Sequence, residues 1–340
     1  MSTSRSPKPK QLMKAVAIDR FGPPSVLKLR RLPVPELGSR EVLIALQGAG
    51  VGVWDADIRK GWWPKGRPKF PLILGSDGSG IVVAKGSRVR RFDVGDRVWA
   101  YEFINPKGGF YAQRVAVDTD HVGHVPRRMD LLHAGAATVT ALTAFQGIKD
   151  VLKIRRGQIV LIFGATGAVG SLAIQFAKRR GARVLATASG RKAAKLVMRL
   201  GADGQIDARS DHLVDDLRAL APRGVDGILA LAGGAPLDQC VGLVKRGGRV
   251  AFPNGIEPEP NRKQGVRLLA YDAEASPRHL ATLRVAVEKA RLRVPIAAAF
   301  PLARAAKAHE RLERGHVLGR IVLKIPQVRV EGESKRSVSR

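Results

Sequence analysis

Ile159-Val-Leu-Ile-Phe-Gly164-Ala-Thr-Gly167-Ala-Val-Gly170-Ser-Leu-Ala-Ile-Gln-Phe-Ala-Lys178 is the stretch on which the reading of the fold turns. An apolar strand enters a turn with three glycines, an amphipathic helix leaves it, and a second apolar strand follows from Arg183 to Thr187. A three-glycine pattern alone is weak, but strand, turn, helix and strand within about 30 residues make a βαβ unit. Glycine permits the tight turn and lets backbone N–H groups approach a pyrophosphate, and the first helical turn adds the positive end of its dipole. Gly164, Thr166, Gly167, Ala168, Val169 and Gly170 are therefore the expected phosphate cradle of a dinucleotide site. The alternative is an ordinary strand–turn–helix packing junction.

The second strand bears on which dinucleotide. A site for NAD places Asp or Glu about 20 residues on, at the strand end, to hold the ribose 2′-hydroxyl. Here Val184-Leu-Ala-Thr187 runs into Ala188-Ser189-Gly190-Arg191-Lys192, without an acid. A hydroxyl at Ser189 and cations at Arg191 and Lys192 would hold a 2′-phosphate that a carboxylate would repel. NADPH is the expected cofactor. Cations at a helix start oppose the helix dipole, which favours a bound anion over a merely solvated first turn.

Outward from this unit, residues from about 131 to 272 alternate strand and helix, the pattern of a parallel sheet with crossover helices. Further strands are expected at Gly227 to Leu231 and Arg249 to Phe252. Ligands sit beyond the carboxyl ends of such strands, which makes Ala232, Gly233 and Pro253 candidate cofactor contacts. Met13 to Val125 is instead β-rich, with short apolar runs between Gly and Pro turns. After Tyr271 come a helix, a strand, a helix and a last strand. Residues 1–11 and 327–340 are polar, basic and expected to be loose tails.

The 340 residues, 45% hydrophobic and 26% charged, have globular composition and length enough for about two domains. A single cysteine, Cys240, excludes an internal disulfide framework and a four-cysteine structural zinc site. The polar, basic start has no apolar core of a secretory signal, and the apolar runs are strand-length. A cytoplasmic protein without a membrane partner is the expectation. The formal charge of +30 prompts a search for a nucleic-acid partner. Basic residues are scattered, however, with few aromatics among them for base stacking, so nucleic-acid attraction is expected to be nonspecific.

Several segments together resemble one family. They include Gly50-Val-Gly-Val-Trp-Asp55-Ala-Asp-Ile-Arg-Lys-Gly61, Leu74-Gly-Ser-Asp77-Gly-Ser-Gly80, Phe92-Asp-Val-Gly-Asp96-Arg-Val98 and Gly109-Phe-Tyr-Ala-Gln-Arg114. Leu142-Thr143-Ala-Phe-Gln146, the glycine turn, Leu200-Gly-Ala-Asp203 and Gly315-His-Val-Leu-Gly-Arg-Ile-Val322 complete the match. The chain resembles the zinc-independent quinone oxidoreductase (zeta-crystallin-like) branch of the medium-chain dehydrogenase/reductase superfamily.

The resemblance implies an α/β protein: a GroES-like β-rich catalytic domain from residues 12–130 and 273–326, around a Rossmann NADP-binding domain at 131–272. It also implies a homodimer, a quinone, enone or similar activated substrate, and a nicotinamide-region contact at Thr143. Competing readings are a nucleic-acid-binding protein on a reductase fold and a reductase of enoyl thioesters.

Catalytic zinc needs about three protein ligands, typically Cys and His. The first-ligand segment offers Gly52 and Val53, and the second offers Ser76-Asp77 where zinc-dependent relatives have a His-Glu pair, so no metal is expected. Without a metal, hydrogen bonds must polarise the substrate. Asp57 stands where the family often has tyrosine, as a proton donor if buried or otherwise in a salt bridge with Arg59 or Lys60. Tyr101 is a second candidate donor, and Tyr111 another. Trp54, Trp62 and Trp63 would wall a pocket for flat rings, or else pack under a loop.

Overall fold

The computed structural model describes residues 11–64 and 66–326; the tails expected at 1–11 and 327–340 lie outside the described residues, Gln11 excepted. The first third is β-rich: β1 (Leu12–Ile18), β2 (Lys28–Pro33), β3 (Glu41–Val51), helix α1 (Val53–Lys60), β4 (Leu72–Ile73), β5 (Asp77–Lys85), β6 (Arg97–Tyr101), β7 (Arg114–Asp118) and β8 (Val122–His124). The middle begins with α2 (Leu131–Gln146), which runs into a π-helical turn at Gly147–Val151. It continues as β9 (Ile159–Phe163), α3 (Ala168–Arg179), β10 (Arg183–Thr187), α4 (Arg191–Arg199), β11 (Gly204–Ile206) and α5 (Leu213–Leu220). Then come β12 (Val225–Ala230), α6 (Ala235–Val241), β13 (Val244–Pro253) and β14 (Arg267–Tyr271). The chain returns through α7 (Pro277–Ala290), β15 (Ile296–Pro301), α8 (Ala305–Glu313) and β16 (Arg320–Lys324).

Six strands of the middle segment form a parallel sheet in the order β11-β10-β9-β12-β13-β14. With β9 as first strand this is the doubly wound order 3-2-1-4-5-6, whose direction reverses beside β9. The near-continuous apolar run of β9 suits a strand covered on both faces. The chain ends meet in the other half: β16 pairs antiparallel with β3, joining residues 321–324 to residues 48–51. That sheet runs β15-β16-β3-β5-β6-β8, with β7 also on β3, and β2-β1-β4 forms a third sheet. A GroES-like β-rich domain and a Rossmann parallel sheet are thus the fold.

Two strands of the parallel sheet escaped the sequence reading. β11 has three residues, too few to show a period, and β14 follows a long loop instead of a crossover helix. Helix α2 is the keel between the halves, packed on β3 and β5 on one side and α3 on the other. Its start is set by Asp130, whose carboxylate accepts from the His133 N–H at 2.9 Å. Thirteen of its sixteen residues are buried, which an all-round apolar helix requires. The helical run Leu131–Val151 is long and apolar enough to cross a membrane, yet 83% of its most apolar window is buried inside the protein.

Candidate functional site

The glycine turn sits where the strand order reverses, between β9 and α3. Gly164 takes a left-handed φ of +82°, and a Cβ on Gly170 would lie 2.5 Å from the Gly164 carbonyl oxygen. Gly167 caps α3 without any side chain covering the first-turn N–H groups. Sequence reasoning missed the residues that brace this turn. Thr187, at the end of β10, accepts the Gly164 N–H at 2.8 Å. The Gly319 N–H donates to the Thr166 carbonyl at 2.9 Å, tying the turn to the start of β16. The residues present fit a pyrophosphate: an open cradle, a free helix start and no acid in the first turn.

At the adenosine end, Gly190 has φ +83° and open space where a Cβ would stand. Arg191 and Lys192 are exposed in the first turn of α4, which contains no acid, and neither makes an ion pair among the described residues. Ser189 is different from its sequence reading. Its hydroxyl donates to Asp207, which stands just beyond β11 and also accepts the Arg209 N–H at 3.0 Å. The acid missing from the end of β10 is thus supplied by the neighbouring strand. The Ser189 hydroxyl and Arg209 N–H hold its carboxyl below the usual range. Nearby Arg209 reaches His316, 3.0 Å away, from the returning chain. No signal local to Ser189 could have disclosed Asp207, eighteen positions away.

The floor of the β-rich half holds a buried polar chain. The Trp54 indole N–H donates to Ser76 Oγ at 2.8 Å, and Ser76 Oγ lies 3.3 Å from Asp55 Oδ1. Asp55 also accepts the Gly52 N–H at 2.8 Å and the Tyr111 hydroxyl at 3.2 Å. His309 Nε2 is 3.1 Å from that hydroxyl oxygen. Burial lifts Asp55 from 3.8 to about 7, against the lowering pull of the Gly52 N–H and Arg320, and pushes His309 down to about 3, so His309 is neutral. Beside this chain Arg320 donates to Asp77 at 2.8 Å and stacks over Trp54, its guanidinium carbon 5.4 Å from the ring centroid. A Cβ at Gly52 would lie 2.6 Å from the Trp54 ring.

The other candidates scatter around the cleft. Burial, with Asp77, Asp272 and Asp55 adding their fields, raises the Tyr101 hydroxyl far above its ordinary value, so it keeps its proton. Asp57 is exposed, and its anticipated salt bridge is corrected: Arg59 and Lys60 both pair with Glu313. Partial burial and the fields of Glu257 and Glu313 nevertheless raise Asp57. Tyr111 is fully buried with Asp55 rather than open to substrate. Trp62 is 51% exposed and meets Phe103 with ring centroids 6.0 Å apart, whereas Trp63 packs against the β-domain core. Thr143 is buried; its hydroxyl donates to the Val139 carbonyl and its own carbonyl accepts from Tyr271 at 3.0 Å. Gly233, in the same loop as Ala232, lies against the Glu257–Pro258 backbone, and Pro253 ends β13 opposite Tyr271.

Two family profiles match: an alcohol dehydrogenase GroES-like domain over residues 38–127 and a zinc-binding dehydrogenase over 200–323. A quinone oxidoreductase of Lama guanicoe is 31% identical over 329 residues, covering 92% of this chain and 98% of that protein. The crystal structure of an NAD-dependent alcohol dehydrogenase matches with TM-score 0.86 at 30% identity, over 92% of this chain and all of that one. A mycobacterial structure complexed with NADPH matches with TM-score 0.80 at 28% identity, over 92% of this chain and 99% of that one.

Zinc, named in one profile, does not suit the donors present. Gly52 offers no ligand, the Trp54 ring fills the space beside it, and the Asp77 carboxylate is neutralised by Arg320. Among the described residues no three His, Cys, Asp or Glu side chains converge on one point.

Proposed function

The chain belongs to the medium-chain dehydrogenase/reductase superfamily, on its quinone oxidoreductase branch, and from that premise we propose a metal-free reductase that uses NADPH to reduce a quinone, an enone or a similarly activated carbonyl or alkene. One observation carries the cofactor assignment: two cations without an ion pair among the described residues, Arg191 and Lys192, stand beside an open glycine turn where the helix dipole disfavours them. The NADPH complex of a relative is consistent with it. NADPH supplies the hydride; the chain binds, orients and supplies hydrogen bonds.

The first-turn N–H groups of α3 hold the pyrophosphate, and Arg191 and Lys192 hold the 2′-phosphate. Asp207 draws the Ser189 proton to itself, which leaves the serine oxygen to accept rather than donate and places the burden of the phosphate on the two cations. At the reacting end, Tyr101 keeps its proton at every working pH and is the hydroxyl available to polarise a substrate oxygen. Trp54 and Trp62 present flat apolar walls, and the Arg320–Asp77 pair fixes the Trp54 ring from behind.

The test is steady-state oxidation of NADPH and of NADH against quinones, enones and enoyl thioesters, with a chelator present. Replacing both cations (Arg191→Gln with Lys192→Gln) is expected to raise the NADPH Michaelis constant roughly tenfold or more, as lost charge-assisted contacts do, and to leave NADH unchanged. Preference for NADH in the parent enzyme, or loss of turnover on chelation, overturns the reading.

A further inference from the structure

A second concavity lies away from the coenzyme cradle, between the turn before α2 and the end of α7. Its volume is ≈ 670 Å³. Arg127 and Arg128 stand on one wall, Arg291 and Arg293 on the other. All four are exposed, and none of the four guanidinium groups makes a salt bridge or hydrogen bond among the described residues. The two carboxylates in the lining are already engaged. Asp130 caps α2 and binds the His133 ring at 2.6 Å, while Glu288 accepts the Arg127 N–H at 3.1 Å and Arg284 Nε at 3.2 Å.

The walls are fixed although the guanidinium groups are free. Arg293 exchanges two main-chain hydrogen bonds with the Gln175 amide, both at 2.8 Å, and Arg291 adopts a left-handed φ of +47° as it ends α7. Arg97 holds the opposite wall through the Met129 carbonyl at 2.5 Å. Met129, Val287 and Leu292 give an apolar floor. The groove abuts the carboxyl end of α3, where Arg179 binds the Lys289 carbonyl, whereas the cradle lies at the amino end. A twelve-residue helix separates those ends by about 18 Å.

We propose that this groove binds a small polyphosphate anion carrying two or more adjacent phosphate groups. Four exposed guanidinium groups without a hydrogen bond or salt bridge line one hollow, with Arg127 close enough to Glu288 to lend it charge, and such planar forks match clustered phosphate oxygens. A nucleic-acid strand is the poorer occupant: the cations line one hollow instead of marking a track, no Phe, Tyr or Trp lines it for base stacking, and the His133 ring is held by Asp130.

Calorimetric titration of inorganic tripolyphosphate into the full chain, at physiological ionic strength, tests this. The pair Arg128→Gln with Arg291→Gln is expected to weaken binding about tenfold. The remote exposed pair Arg31→Gln with Arg88→Gln removes the same charge and is expected to change it less than about twofold, because the salt screens distant charges. The cradle pair Arg191→Gln with Lys192→Gln leaves groove binding in place. Arg128→Gln alone, in an exposed turn, moves affinity in the same direction and guards against a folding defect. Absence of binding, equal losses in the groove and remote pairs, or a loss that follows the cradle pair overturns the proposal.

Discussion

Asp55 shows how strongly position governs a single side chain. Its carboxyl has no solvent, and although two hydrogen-bond donors and Arg320 favour the anion, burial wins and holds it near 7. Unfolded, the same group titrates near 3.8. Between those values the folded chain keeps a proton that the unfolded chain has lost, so stability falls as pH rises through the window and levels off above it. Asp55→Asn should flatten that stretch, seen as a melting-temperature difference from the parent that grows in the variant's favour from about pH 4 to pH 7. Parallel curves would remove Asp55 from the titration. Burial raises Asp77 as well, but there Arg320 pairs directly with the carboxylate at 2.8 Å and pulls the other way. Arg320→Ala strands that carboxylate and should cost about 3–5 kcal/mol in urea denaturation. Neither arrangement was legible in sequence, because Asp77 and Arg320 stand 243 positions apart and Tyr111 and His309 stand 198 apart. The glycine turn and the Ser189–Lys192 segment could be read because their chemistry is local to a few residues.

Among the elements, α2 illustrates a competition between propensity and packing. Gly135 lies inside it, where Ala would ordinarily gain about 1 kcal/mol. Here a Cβ would stand 2.5 Å from the Gly48 carbonyl oxygen of β3, which is backbone and cannot swing aside. Gly135→Ala is therefore expected to destabilise by about 1–3 kcal/mol, the overpacking sign rather than the propensity sign, by thermal or chemical denaturation. A helix and a strand that approach this closely explain why glycines recur at their crossing. Strong local patterns made β9, α3 and β10 visible in the sequence. β11 and β14 were hidden for physical reasons: three residues carry no period, and a strand reached by a loop lacks the helical partner that announces it. With β11 unseen, Asp207 at its end was unseen too.

For the molecule as a whole, 59 cations against 29 acids leave a surface that repels itself. Shortening the screening length from about 30 Å to about 8 Å, by raising salt from about 10 mM to 150 mM, should raise the melting temperature. A flat response would mean that local pairing has already compensated the excess.

The Thr166–Gly319 backbone bond has a consequence at this largest scale. It pins one corner of the cleft, with Arg209 and His316 clasped close by. Breathing motions of the cleft therefore leave the fastened corner shut. The Gly319 amide should then be among the slowest in its loop to trade hydrogen for deuterium, a clasp that outlasts every yawn of the cleft.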